Sequence, residues 1–446
     1  MARPGFGVRR IPPRAIRISI MTTSTTLFST LLLPTVSAVL LHGAPAVADA
    51  GAAQSADAAQ QRLAADVAKV EAAYLIGPSA AAKLGCSIVW QANVPVPSGN
   101  GLKLVSASPD GVLALNGRNE LTLVRAATGD RSWTASAAPA VDRVSAMRVL
   151  GEDFGFRAGS VAISTDTQLY FLSLDNGELV SKSGYRFAPS TLPVFTDSHI
   201  VFGSRNGQAV WVNAATGFLF RSSVLDPVSR TPSSIAARPA TDGTVVVACS
   251  SAGTVVAFDA SSARSLWRRE LLGGVVARPI IDGDVVFVAS EDQYLYAFDL
   301  GSGETLWKYF TQSPLTTAPF AAGDLVLQDI PNEGVVAFTQ SPEGQLGGEV
   351  RWKKTGIAGA PITTAEISGR SAVAFWCPKG RTVTFVDALK GDVLSTVALP
   401  QVEHLDADRL DKGGFVAWSS DGRIERLAPA AAADATTAKA AADSNG

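Results

Sequence analysis

The chain has 446 residues, 38 of them basic and 40 acidic, for a formal net charge of −2. That balance gives no global electrostatic reason to expect nucleic acid as a partner. Charged residues make up only 17% of the chain, against about a quarter in ordinary soluble domains, so a sheet-rich and strongly buried fold is expected, with enough length for a large core.

The chain begins with a segment that does not read as part of the fold. Arg3, Arg9, Arg10, Arg14 and Arg17 make a basic leader. Leu27 to Leu41 is a mainly apolar run interrupted by Pro34, and Ala44-Pro45-Ala46-Val47-Ala48 supplies the small residues that a signal peptidase accepts. Residues 1–50 are therefore predicted to be a secretory signal peptide, with cleavage near Ala48 or Ala50. The apolar run is shorter than the ~20 residues a spanning helix needs, so no transmembrane span is expected after cleavage, a retained anchor being the alternative. The expected location is the periplasm, the cell envelope or the exterior.

Residues 51–85 form an Ala-rich helical segment and linker. Leu63, Val67, Val70 and Tyr74 fall on one helical face, with Arg62, Asp66, Lys69 and Glu71 mostly off it. Gly77-Pro78 reads as the helix end. The helix is expected to pack on its own protein, with docking to a partner as the alternative.

From residue 86 the sequence becomes periodic. Ala257-Phe258-Asp259 with Leu266-Trp267 recurs 40 residues later as Ala297-Phe298-Asp299 with Leu306-Trp307. Upstream, Arg238-Pro239-Ala240-Thr241-Asp242-Gly243 recurs at the same interval as Arg278-Pro279-Ile280-Ile281-Asp282-Gly283. A fixed period in this range marks stacked supersecondary units. Each unit reads as short strands of β-branched and aromatic residues separated by turn residues, with no stretch suited to a crossover helix. Four antiparallel strands per unit describe a β-propeller blade.

A glycine in the turn before the last strand stands at Gly129, Gly177, Gly217, Gly303 and Gly391, where a backbone that tolerates positive φ is needed. Ala263 replaces it once, which requires another turn type or strain. The Trp four residues on, at Trp133, Trp267 and Trp307, is suited to filling the gap between blades while its N–H finds an acceptor. Ser181, Arg221 and Ser395 stand there in blades that have drifted. Trp352 follows a longer turn, Gln340 to Gly348, read as an exposed insertion. Outermost strands are placed near Trp90, Trp133, Val180, Phe220, Trp267, Trp307, Trp352 and Leu394. After the last of these, Phe415 to Trp418 and Arg423 to Leu427 are inner strands without an outer one, and Cys86 to Val94 is an outer strand without inner ones. The two ends should join, closing eight blades over residues 86–427, about 43 residues each, and removing exposed sheet edges. Seven blades is the alternative if the unit from Val161 to Val180 is an excursion. The tail, 428–446, is Ala-rich and expected to be disordered.

The A-F-D-x-x-x-G-x-x-L-W pattern with its upstream P-x-x-D-G-x-V resembles the pyrroloquinoline-quinone-type (PQQ-like) propeller repeat. It is clearest at 238–267 and 278–307, recognisable at 318–352, and weaker but in register over 87–230 and 361–427. The family has quinoprotein dehydrogenases, which use the quinone and calcium, and cofactor-free binding propellers such as the BamB scaffold of outer-membrane barrel assembly. Length, eight blades and closure by the two ends resemble the second branch. The lipidated N-terminal Cys of that branch is poorly matched, because Cys86 lies far behind the apolar run.

Residues for chemistry are scarce. Cys86, Cys249 and Cys377 include no C-x-x-C and no vicinal pair of the quinoprotein kind, and buried free thiols are expected. After the leader only His199 and His404 remain. Glu403, Asp406, Asp408 and Asp411 could offer oxygens to calcium but lack the spacing of an EF-hand loop, and read as a solvated loop. Asp282, Asp284, Glu291 and Asp292 read as hairpin residues. Trp211, Trp376 and Trp418 escape the repeat register and are read as core before contact residues. No catalytic, cofactor-binding or metal residue is assigned. The expected function is an exported, non-catalytic scaffold for a protein or peptide partner in the cell envelope, which the resemblance extends to outer-membrane assembly. The alternatives are a quinoprotein alcohol or sugar dehydrogenase with PQQ and calcium, and a cell-surface or glycan-binding propeller.

Overall fold

A computed structural model describes residues 50–151, 158–226, 234–341 and 347–430. The predicted signal peptide, most of the Gln340–Gly348 insertion and the tail from 431 lie outside the described residues. Of the segment up to Gln60, only the start of helix α1 (Ala50–Ala73) is described.

In the compact unit from Gln61 onward, the described residues form 32 strands arranged as eight sheets of four antiparallel strands. Seven sheets are consecutive in sequence: blades 1 to 7 span 102–136, 144–184, 194–224, 240–270, 280–310, 320–354 and 360–398. Blade 8 takes His404–Ala407, Phe415–Trp418 and Arg423–Pro429 from the end of the chain and its outer strand, Cys86–Asn93, from the beginning. In that outer pair Cys86 faces Pro429 and Gln91 faces Glu425. The protein is thus an eight-bladed β-propeller, and the unit from Val161 to Val180 belongs to a complete blade. The last strand runs to Pro429, slightly past the expected boundary at 427.

The core is divided into eight apolar clusters, each shared by two neighbouring blades. Val247, Val255 and Trp267 of blade 4 meet Val286, Val288 and Phe298 of blade 5. Trp90, Val416 and Trp418 of blade 8 meet Val112, Ala114 and Val124 of blade 1, so the last gap is filled like the others. Burying each such side chain is worth about 1.5–3 kcal/mol, and the ring leaves no pair of blade faces uncovered.

The repeated Trp works between blades. Trp90, Trp133, Trp267, Trp307 and Trp352 donate their indole N–H to backbone carbonyls of Ala126, Leu174, Leu300, Gln340 and Ala388, each in the next blade, at 2.7–2.9 Å. The ring of each lies on a glycine of that next blade. At Gly303 (φ 69°) an added Cβ would stand 2.7 Å from Cε3 of Trp267. This glycine therefore answers two demands, a left-handed turn and a close-packed indole. Ala263 does adopt the left-handed conformation (φ 53°). The equivalent outer-strand position of the blade before it is Arg221, so the outer-strand indole that lies on the turn glycine elsewhere is missing there.

The start of the described unit departs from expectation. Helix α1 leaves Leu63, Val67 and Val70 exposed, so these residues do not pack on the propeller; Tyr74 is half-buried. Pro78 does not end a helix but opens a second one, α2 (Pro78–Lys83), at a position that needs no N–H. Between the helices Leu75 and Ile76 are buried in the cluster between blades 7 and 8. Their N–H groups donate to Gln91 Oε1 (2.6 Å) and to Glu425 Oε2 (2.8 Å). Glu425 is fully buried and its Oε1 has no partner. Burial pushes its carboxyl up to about 7, against the opposing pull of the two backbone N–H groups.

Candidate binding sites

The innermost strands of the blades surround a central cavity of about 1020 Å3. Leu192, Ile280, Ile281, Phe320 and Ile362 give it apolar walls, and Arg238, Arg278 and Arg409 bring charge to it. Arg238 and Arg278 occupy the same repeat position, immediately before Pro239 and Pro279 at the entry to the inner strands Ala240–Thr241 and Ile280–Asp282. In the next two blades that position is Ala318 and Ala360, so at this repeat position the charge belongs to blades 4 and 5. Arg238 Nε is buried with no hydrogen-bond partner. Burial, then repulsion from Arg278, Arg409 and Arg148, holds the Arg238 guanidinium down to about 10, still protonated at neutral pH. Arg278, exposed to the channel, is lowered by the partial loss of water around it and by Arg409. Asp329 and Asp406 share the cavity wall, yet no ion pair joins them to these arginines among the described residues.

A second feature lies on the outside of blades 2 and 3. Their outer strands, Leu179–Gly184 and Leu219–Val224, together with Phe218, expose Leu179 (55%), Val180, Phe218 (69%), Phe220 and Val224. These are the blades in which Ser181 and Arg221 stand in place of Trp.

The remaining predicted residues do not converge. Cys86, in the blade 8 outer strand, and Cys249 are buried free thiols, and Cys377 is a half-buried one. Burial pushes Cys86 up to about 12. His199 is buried, with Nδ1 2.8 Å from Ser198 Oγ, and burial lowers its basicity; His404 stacks on Trp418 at 3.8 Å. The acidic run is not a solvated loop. Asp408 is buried and pairs with Arg426 Nε at 2.7 Å, Asp411 takes Arg426 Nη2 at 2.6 Å, and Glu403 accepts the Ser420 N–H at 2.9 Å. Asp406 alone turns to the cavity. Asp282 accepts from Gln340 Nε2 at 2.6 Å and Asp292 from the Tyr296 hydroxyl at 2.8 Å. Trp211, Trp376 and Trp418 are buried core.

A calcium–quinone pair at the ring centre would need oxygen ligands converging beside the arginines. Among the described residues no three His, Cys, Asp or Glu side chains are grouped to hold a metal ion. No helix among the described residues is long and apolar enough to cross a membrane.

The fold and cavity define an eight-bladed propeller of PQQ-like repeats. The family described as "Outer membrane protein assembly factor BamB" matches residues 80–309 and 240–435, and the chain belongs to that family. Among solved structures it is similar to BamB from Moraxella catarrhalis, with 17% identity and a TM-score of 0.56, covering 77% of this chain and 97% of that one. It is similar in fold to the computationally designed Ika8 protein as well, with 16% identity and a TM-score of 0.54, over 76% and 99% of the two chains. No protein of curated function matches it.

Proposed function

We propose that this chain is an exported, non-catalytic scaffold that binds a protein partner in the cell envelope and serves outer-membrane protein assembly. The observation that carries the reading is the run of exposed apolar residues on the outer strands of blades 2 and 3, Leu179, Val180, Phe218, Phe220 and Val224. Large apolar side chains on neighbouring outer strands are costly in water and productive at an interface. The open edge of an outer strand also offers backbone groups to an incoming strand. Family membership supports the same reading.

The test is in-cell cross-linking of the tagged protein followed by mass spectrometry. Wild type should recover outer-membrane assembly components reproducibly. Phe218→Asp combined with Leu179→Asp should cut that recovery at least tenfold without lowering the yield of folded protein, because both side chains are already exposed. Recovery of electron-transfer proteins, or recovery unchanged in the variant, would overturn the proposal.

A further inference from the structure

The central cavity poses a problem of charge that the scaffold role does not answer. Arg238, Arg278 and Arg409 line one space, and Arg148 is close enough to act on Arg238. Arg238 is half-buried while Arg278 and Arg409 are exposed to the channel, and like charges so placed repel. A structural cluster would be relieved by carboxylates, as Arg426 is by Asp408 and Asp411 on the other side of the same blade's hairpin. Among the described residues no ion pair relieves Arg238, Arg278 or Arg409. The influences on Arg238 are burial and three other arginines, with no carboxylate among them, and its Nε is buried without a partner. A buried donor left unmade is expensive, and more so when charged.

We propose that this arginine-lined part of the central channel is a binding site for a small polyanion carrying carboxylate or phosphate groups. Arg238 and Arg278, on adjacent blades at the same repeat position, form the two prongs of the site. A planar guanidinium presents paired N–H donors that match an oxyanion in bidentate fashion, so the orphaned Arg238 Nε is the donor such a ligand would satisfy. Arg409 reaches the same cavity from the hairpin of blade 8 and adds the third charge. Ile280, Ile281 and Phe320 add apolar wall beside the arginines, against which the carbon skeleton of a ligand can lie. Asp329 and Asp406 on the same wall disfavour a ligand whose charge is spread through the whole cavity, which selects for a compact one. The volume is in the range of small-molecule sites. The site asks for no metal and is separate from the outer strands of blades 2 and 3, so it stands or falls independently of the scaffold reading.

The experiment is isothermal titration of the purified protein with citrate and, separately, with inorganic pyrophosphate, in low-chloride buffer at neutral pH. Saturable one-to-one binding of at least one probe is expected, weakening as salt is raised. Arg238→Gln and Arg278→Gln should each weaken it tenfold or more, while Phe218→Asp leaves it unchanged. Citrate alone binding would assign a carboxylate ligand, and pyrophosphate alone a phosphate one. A stability measurement separates a site from a structural role: without ligand, Arg238→Gln should leave the melting temperature unchanged or raise it, since it removes a repelling charge. Absence of saturable binding by both probes, binding that survives both substitutions, or a melting temperature lowered by Arg238→Gln would overturn the proposal.

Discussion

Blades 4 to 6 and blades 2 and 3 solve the same packing problem in opposite ways. In blades 4 to 6 the outer strand carries the large residue and the third strand the small one, so Trp267 faces Ala257, Trp307 faces Ala297 and Trp352 faces Ala337. In blades 2 and 3 the order is inverted: Ser181 faces Phe171 and Arg221 faces Trp211. Both inward aromatics are buried. The aromatic volume that separates the blades has moved one strand inward, and a close-packed interior permits such exchange when volume is kept. The outer strand is thereby released from core duty. Leu179, Val180, Phe220 and Val224 are exposed on these strands, as Leu266, Leu306 and Phe310 are on the Trp-bearing outer strands of blades 4 and 5, so the contrast between the two groups lies in their core-facing positions.

The largest expected effect tests the core side of this contrast. Trp307→Ala removes a fully buried indole and should cost about 3–5 kcal/mol, read from urea unfolding. Arg221→Ala, at the equivalent position of blade 3, should cost less than about 1 kcal/mol. Equal costs would break the comparison.

Next comes the glycine on which the indole lies. Gly303→Ala should cost about 2–4 kcal/mol, because the methyl group meets Trp267 in a left-handed turn. Ala263→Gly should change stability by less than about 1 kcal/mol. In a double-mutant cycle, Trp267→Ala with Gly303→Ala should cost less than the sum of the two, since the first removes the atoms that the second strikes. Strict additivity would show that backbone strain alone explains the glycine.

The smallest expected effect lies at the ring closure, outside both regions. Glu425 has its folded carboxyl raised to about 7 from 4.5. Between those values the folded state holds a proton that the unfolded state has released, so stability falls as pH rises from about 4.5 to about 7 and is level above. The fall should be on the order of 1–3 kcal/mol. Glu425→Gln keeps an acceptor for the Ile76 N–H and should abolish this part of the pH dependence. A variant whose unfolding midpoint follows wild type across that window would show that the buried carboxylate is relieved by another group.

Much of this architecture was legible along the chain. The 40-residue interval, the turn glycines and the half-blades at the two ends led to eight blades and to the joining of Cys86–Asn93 with Arg423–Pro429. These features repeat locally, and a local repeat is visible without knowing what lies across the ring. The reading failed where a residue's partner comes from elsewhere in the chain. Asp408 looked solvated because its partner Arg426 lies beyond the hairpin turn. Leu63, Val67 and Val70 suggested a docked face that the helix leaves exposed. Trp211 seemed out of register because its counterpart, Arg221, had changed with it.

By itself, then, the sequence determined the repeat, the blade number and the mode of closure, since strand periodicity and turn chemistry act over a few residues at a time. Only the tertiary structure decided which arginines share the channel and which apolar residues are left on the outside. Arg238, Arg278 and Arg409, which line the channel, stand in three different blades. Their charges meet because the ring curves until the innermost strands face one another, and no linear spacing encodes that convergence.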